Sequence, residues 1–170
     1  MNRQDPSHEL LLTVGGLGWL RPASGTWGSL PPAVLAAIIV LAGAGPASDH
    51  AWVYWGTMAF LAIAFTVVCV AGGDAAEATW GKDPSPVVAD EVAGMAVTLL
   101  LMPPALLANE RFFSLVSIAG AFILFRAMDV AKPWPCNRLQ RISAGWGIVL
   151  DDLIAGVYAA GLAWVVYWVM

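Results

Sequence analysis

The chain has 170 residues, 59% of them hydrophobic and 12% charged, with a mean hydropathy of +0.74. A soluble domain is roughly 45 to 50% apolar and 25% charged, so this composition excludes an ordinary water-soluble fold and predicts one small, all-α, membrane-embedded domain over residues 1–170. A formal net charge of -4 leaves no basic stripe to neutralise a polyphosphate backbone, which excludes nucleic acid as a partner.

The N-terminal "MNRQDPSHELLLTVGG" lacks a basic segment followed by a sustained apolar core and a small-residue cleavage site, so no cleaved signal peptide is expected. "GGLGWLRPASGTWGSLPP" follows, in which Gly25, Thr26, Gly28 and Ser29 are expected to precede a first apolar helix running from Pro31 to Gly43, with Ser29 as its cap. Backbone N–H groups, the Thr26 and Ser29 hydroxyls and the positive helix end would receive an anion there; a simple turn is the alternative. No GxxxxGK[ST] is present, so this is no nucleotide P-loop.

The second apolar stretch, Trp52 to Gly72, is the one comfortably as long as the roughly 20 residues a bilayer crossing needs. Its helix is expected to continue through "GGDAAEATWGK" and stop at Gly81, which places Asp74 and Glu77 in its last turns. Negative charge there opposes the helix dipole and calls for compensation, by Lys82 or by a bound cation. In "DPSPVVADEVAG" Asp83 sits in a rigid turn, and Ser85-Pro86 reads as cap and first position of the third helix. Asp90 and Glu91 then lie one turn in, and Gly94, four residues after Asp90, opens space beside that carboxylate.

The third stretch runs from Val92 to Ala108 and the fourth from Phe112 to Phe125. The first and fourth are half-spans or extend into their flanks, giving four to five membrane-associated helices. Beyond Phe125, Arg126, Asp129 and Lys132 recur every third residue and share a face if the helix reaches that far, as a salt-bridge ladder or as functional groups; Pro133 biases Lys132 toward an extended end. Asp151 and Asp152 open the fifth helix, whose apolar part is Ile154 to Met170, where their charge suits the dipole. Gly156 follows Asp152 by four, as Gly94 follows Asp90, and both glycines allow close approach of a backbone or ligand.

If all five stretches cross from a cytoplasmic N-terminus, Arg3, Arg21, Lys82, Arg126, Lys132, Arg138 and Arg141 are cytoplasmic and only Arg111 is outside. Most acids collect on the same face, while Asp49 and Glu110 fall opposite. Trp19, Trp27, Trp80, Trp134 and Trp146 suit the cytoplasmic boundary, and Trp52, Trp55, Trp164 and Trp168 the other. Oxygen-only ligands, several cations and a loop able to hold phosphate point to phosphoryl-transfer chemistry. Mg2+ is expected rather than zinc, because His8 and His50 lie outside these regions and Cys69 and Cys136, expected as reduced thiols, have no metal-ligand spacing.

The segments "SGTWGS", "EATWGKDPSPVVADEVAG", "FRAMDVAKPWPCNRLQ" and "GWGIVLDDLIAG" resemble phosphatidylglycerophosphatase A, a bacterial membrane phosphatase family of phosphatidylglycerol synthesis. The patterns E-x5-DP-x5-DE-x2-G, D-x2-KP-x-P and G-x-G-I-x2-DD-x2-AG carry the likeness across residues 10 to 160. The resemblance implies a multi-pass inner-membrane enzyme of phospholipid biosynthesis that hydrolyses phosphatidylglycerophosphate to phosphatidylglycerol and phosphate with Mg2+, its site facing the cytoplasm. The matching polar positions are Thr26, Glu77, Asp83, Asp90, Glu91, Asp129, Lys132, Asp151 and Asp152. Glu77, Asp83, Asp90 and Asp152 are then expected to hold metal, and Asp90, Glu91, Asp129, Lys132 and Asp151 to serve catalysis. Thr26, Ser29, Arg126 and Lys132 are expected to bind substrate. Ser24 replaces the proline usual in the family's turn, and Cys136 a usual aliphatic residue; Asp74 lies outside the pattern.

Other phosphatase chemistries lack their residues. A Cys-x5-Arg loop needs arginine where Ile142 stands, no DxD motif occurs, and neither histidine is flanked as a histidine nucleophile requires. Metal-assisted attack by water remains, with an aspartyl-phosphate outside the DxD class still open. A cation channel would instead string its acids along a path through the bilayer, and a lipid-binding subunit would need fewer of them.

Overall fold

A computed structural model describes residues 6–82, 84–108, 110–136 and 145–170; Asp83, Arg3, Arg138 and Arg141 lie outside the described residues. The chain forms α1 (Pro6–Leu12), a 3-10 turn (Leu17–Trp19), α2 (Ser24–Leu41), α3 (Ala51–Trp80), α4 (Ala89–Leu101), a second 3-10 turn (Pro104–Leu107), α5 (Arg111–Ala131) and α6 (Gly145–Val169), with no strand among the described residues. Four helices, α2, α3, α5 and α6, are long and apolar enough to cross a membrane, so the expected all-helical membrane architecture is borne out.

The third apolar stretch, Val92 to Ala108, behaves differently. α4 has 13 residues, about 20 Å of helix, against a hydrocarbon core of about 30 Å. Pro103 and Pro104 end it, yet it is the most enclosed helix, with Ala89, Ala93, Met95, Ala96 and Leu99 fully buried between α3, α6 and α2. A helix surrounded by protein does not have to match lipid thickness. Its freed C-terminal carbonyls still need donors away from water. Tyr54 Oη donates to the Leu99 carbonyl at 3.0 Å, and Trp164 Nε1 to the Leu101 carbonyl at 2.9 Å. The second 3-10 turn carries the chain on to the far end, where the Leu107 carbonyl lies 3.6 Å from where a Cβ on Gly45 would be. Four spanning helices thus surround a shorter central one.

Three local expectations are corrected. α2 begins at Ser24, seven residues before the expected Pro31, so Gly25, Thr26, Gly28 and Ser29 form its first turns and not a loop ahead of it. Ser29 is therefore no cap: it is fully buried within the helix and its Oγ donates to the Gly25 carbonyl at 2.7 Å. Pro31 and Pro32 mark a start in water-soluble helices, but a membrane helix tolerates them where neighbours and Ser or Thr side chains take up freed backbone groups. α4 starts at Ala89 and not at Pro86, because residues 84–87 close a turn (Val87 N to Pro84 O, 2.8 Å) and Val88 N donates to the Leu12 carbonyl ending α1 at 3.0 Å. Asp90 and Glu91 consequently occupy its first turn. Lys132 is left-handed (φ 42°, ψ 61°) and not extended, because it caps α5 with its N–H on the Met128 carbonyl at 2.9 Å. That conformation costs a non-glycine residue on the order of 1 kcal/mol or more. By contrast Gly81, at φ 89° with its N–H on the Glu77 carbonyl, stops α3 where expected.

Candidate active site

Glycines bring the acids together. α4 and α6 both begin at the end of the bundle where α2 begins, and they touch backbone to backbone. A Cβ on Gly156 would collide with the Gly94 carbonyl, and one on Gly94 would lie 2.6 Å from the Asp152 carbonyl and 2.7 Å from the Phe125 ring. Thr98 Oγ1 sits in the same crossing, 3.1 Å from the Gly94 carbonyl and 3.4 Å from that of Gly156. Asp90 is one turn before Gly94 and Asp152 one turn before Gly156, so close helix approach places both carboxylates, with Glu91, in one group. Ligand oxygens of the three lie within 4.8 Å of one another.

Their buried atoms Asp90 Oδ1, Glu91 Oε2 and Asp152 Oδ2 have no hydrogen-bond partner among the described residues. Burying a carboxylate without donors or a counter-charge is costly, and three such oxygens side by side compound desolvation with repulsion. Asp129 and Asp151 add charge to the same cluster. Oxygen donors of this kind, without imidazole or thiolate, fit a hard divalent cation and not zinc.

Two cationic side chains from α5 face this group differently. Lys132 Nζ pairs with Asp151 Oδ2 at 2.9 Å. Arg126 Nη1 pairs with Asp129 Oδ2 at 3.0 Å and donates to Ser29 Oγ at 3.3 Å. Gly25 makes room for this packing: its Cβ would run into Glu91 Oε1 and lie within 2.8 and 2.9 Å of the two Arg126 Nη atoms. Arg126 therefore stands behind Glu91 and Asp129, clamping α5 to the first turns of α2.

In front of the acids lies a cavity of about 260 Å3 whose wall includes Ser24, Ser85, Asp90, Glu91, Asp129, Val130, Lys132, Asp151 and Asp152. Six of the expected site residues (Asp90, Glu91, Asp129, Lys132, Asp151 and Asp152) thus share one cavity. Ser29 and Arg126 are joined behind it, and neither they nor Thr26 belong to its wall. Glu77, half-buried in the last turn of α3, is not among the three converging acids, and Asp83 is outside the described residues. Ser24, Pro84, Ser85, Val87 and Val130 also line the wall and were not among the expected site residues. Ser24 was legible as a departure from the family's turn, whereas Val130 carried no signal, because a valine beside an acid reads as packing.

Cys136 lies under Asp151, its Sγ 3.7 Å from the Asp151 carbonyl. Burial, with the Asp151 charge adding to it, pushes its thiol pKa up, which keeps the sulfur protonated and poorly nucleophilic. Two further cavities, one beside Arg111 at the opposite end and one beneath α1 around His8, have no carboxylate among the described residues of their walls. Between the acid cluster and the far end the core is apolar, built from side chains such as Met58, Met95, Leu99 and Ile118. That is the layout of a site at one membrane face and not of an ion path.

Comparison with known proteins places the chain further. The family model described as Phosphatidylglycerophosphatase A matches residues 10–167. A Bacteroides thetaiotaomicron protein provisionally named phosphatidylinositol-3-phosphatase is 36% identical over 161 residues, 95% of this chain and 94% of that protein. Phosphatidylglycerophosphatase A of Haemophilus influenzae is 31% identical over 98% of this chain and 92% of its own length. The Escherichia coli protein of the same name is 37% identical over 47% of this chain and 42% of its own. No solved structure matches the chain.

Proposed function

Because the chain belongs to the phosphatidylglycerophosphatase A family, we propose that it hydrolyses the terminal phosphomonoester of phosphatidylglycerophosphate, leaving phosphatidylglycerol and inorganic phosphate, in phospholipid biosynthesis at the bacterial inner membrane. The observation that carries the reading is the set of three buried carboxylate oxygens, without a hydrogen-bond partner among the described residues, in a cavity shared with Lys132. Asp90, Glu91 and Asp152 would hold Mg2+, with Glu77 and Asp83 as further candidates. A bound Mg2+ supplies charge neutralisation to phosphate oxygens.

The chain's own groups supply the rest. Lys132 leans between Asp151 and the cavity, where its ammonium pairs with a phosphate oxygen of the incoming headgroup. Asp129, held through Oδ2 by Arg126, orients a water and takes its proton as the water oxygen bonds to phosphorus. The bond from phosphorus to the ester oxygen breaks, and that oxygen leaves as the lipid alcohol with the returned proton. Arg126 keeps Glu91 and Asp129 in place while Ser29 keeps Arg126 in place. Thr26, in the first turn of α2, stays a candidate for the phosphate through its hydroxyl.

Phosphate release by the purified protein from phosphatidylglycerophosphate, with and without Mg2+, tests the reading. Release from phosphatidylglycerophosphate is expected to exceed that from phosphatidylinositol 3-phosphate and to vanish with chelator. Faster release from the phosphoinositide would move the substrate to the class named for the Bacteroides relative. The seven-to-one basic bias orients the site to the cytoplasm. A thiol probe that cannot cross the membrane is expected to label a cysteine placed at Asp49 on intact cells but not one placed at Ser85; the reverse pattern overturns the orientation.

A further inference from the structure

α5 shows how a lipid could reach the cavity. Its exposed residues Phe112, Val116, Ala119, Ile123, Ala127 and Val130 recur every three or four positions, and its buried ones, Ser114, Ile118, Ala121 and Phe125, define the opposite face. Such spacing is one stripe along the helix. Val130, the last of the stripe, is 75% exposed and also belongs to the wall of the acidic cavity. It is the point at which the hydrocarbon-facing surface and the site are continuous. One leaflet is about 15 Å deep, and Ala119 to Val130 spans about 17 Å of helix, so a lipid lying on this stripe ends at the level of Val130. Lys132, two residues on, is the one cationic side chain among the described wall residues, and exposed Trp134 follows at the boundary where indole rings favour the headgroup layer.

We propose that the lipid substrate enters the cavity sideways from the bilayer along the outer face of α5, with its acyl chains on the stripe ending at Val130 and its phosphorylated headgroup passing Val130 to meet Lys132. This rests on the lipid-phosphatase reading above. The order of groups suits an anion: it meets the lysine before the carboxylates, which would otherwise repel it.

Photocrosslinking in the full-length protein tests the route. Benzoylphenylalanine is placed at Val130, at Ala127 one turn earlier, and at Ala78 on α3 and Trp146 on α6, both exposed near the same end. The protein is held in phosphatidylcholine vesicles containing a tagged phosphonate analogue of phosphatidylglycerophosphate, which cannot be hydrolysed. Labelling by the analogue relative to phosphatidylcholine is expected to be at least about fivefold higher at positions 127 and 130 than at 78 and 146, the discrimination a single charged hydrogen bond supports. Equal enrichment at all four positions, or enrichment at 78 or 146 instead, overturns the route. Hydrolysis by the unmodified enzyme is scored separately, so loss of the route and loss of the phosphatase reading give different results.

Discussion

Asp90→Asn and Asp152→Asn proteins are expected to lose at least about 100-fold in turnover, the scale of removing one positioned electrostatic or acid-base group, or about 2.7 kcal/mol of transition-state stabilisation. Their stability in metal-free buffer should be unchanged or higher. Both residues contribute an unpartnered buried oxygen to a group of acids within 4.8 Å of one another, so neutralising either one relieves repulsion that the fold otherwise carries. The rise in melting temperature that Mg2+ confers on the wild-type protein should disappear with it, because a ligand stabilises only the state that binds it. Turnover and thermal shift measured with and without Mg2+ decide the matter. Variants that keep both wild-type turnover and the Mg2+ response would reduce these acids to helix-end charges.

Gly156→Ala should produce the opposite pattern. Its new methyl group meets the Gly94 carbonyl, which is backbone and cannot swing aside, so α4 and α6 must separate. Overpacking of this kind costs about 1 to 3 kcal/mol, and a displacement of about 1 Å in a catalytic constellation costs about 100-fold in rate. Melting temperature and turnover should therefore fall together, with or without Mg2+. Gly161→Ala on the same helix is the control. Nothing lies within 4 Å of its Cβ position, and alanine is the better helix former, so stability should hold or rise by up to about 1 kcal/mol with turnover intact. A Gly156→Ala protein indistinguishable from Gly161→Ala would show that the glycine contact does not set the site.

The two variants separate chemistry from scaffold, and they also mark where reading the chain residue by residue succeeds. Asp90 with Gly94, and Asp152 with Gly156, are visible as acid-then-glycine spacings because a helix repeats nearly every four residues. Gly81 was legible as a stop, since a left-handed position favours glycine. The start of α2 was not. Proline is read as a helix boundary because in water its missing N–H leaves a carbonyl to solvent, whereas inside a membrane bundle neighbouring groups compensate. Ser29 was assigned to an anion for the same reason; once it lies inside the helix its hydroxyl is committed to the Gly25 carbonyl and to Arg126.

Composition and local period by themselves determined that this is a helical membrane protein and that its acids stand at helix ends beside small residues. They also pointed any metal bound there to oxygen donors, because both histidines lie outside those segments and neither cysteine has a partner at metal-ligand spacing. Which acids meet was decided only by tertiary structure. Glu91 joined Asp90 and Asp152 in the unpartnered trio, Arg126 turned out to stand behind the acids while Lys132 lines the cavity, and Ser24 and Val130 entered the wall. The reason is physical: spacing along a chain sets which face of one helix a side chain occupies. The rotation and axial register of one helix against another come instead from contacts such as Gly94 on Gly156, made between residues far apart in sequence.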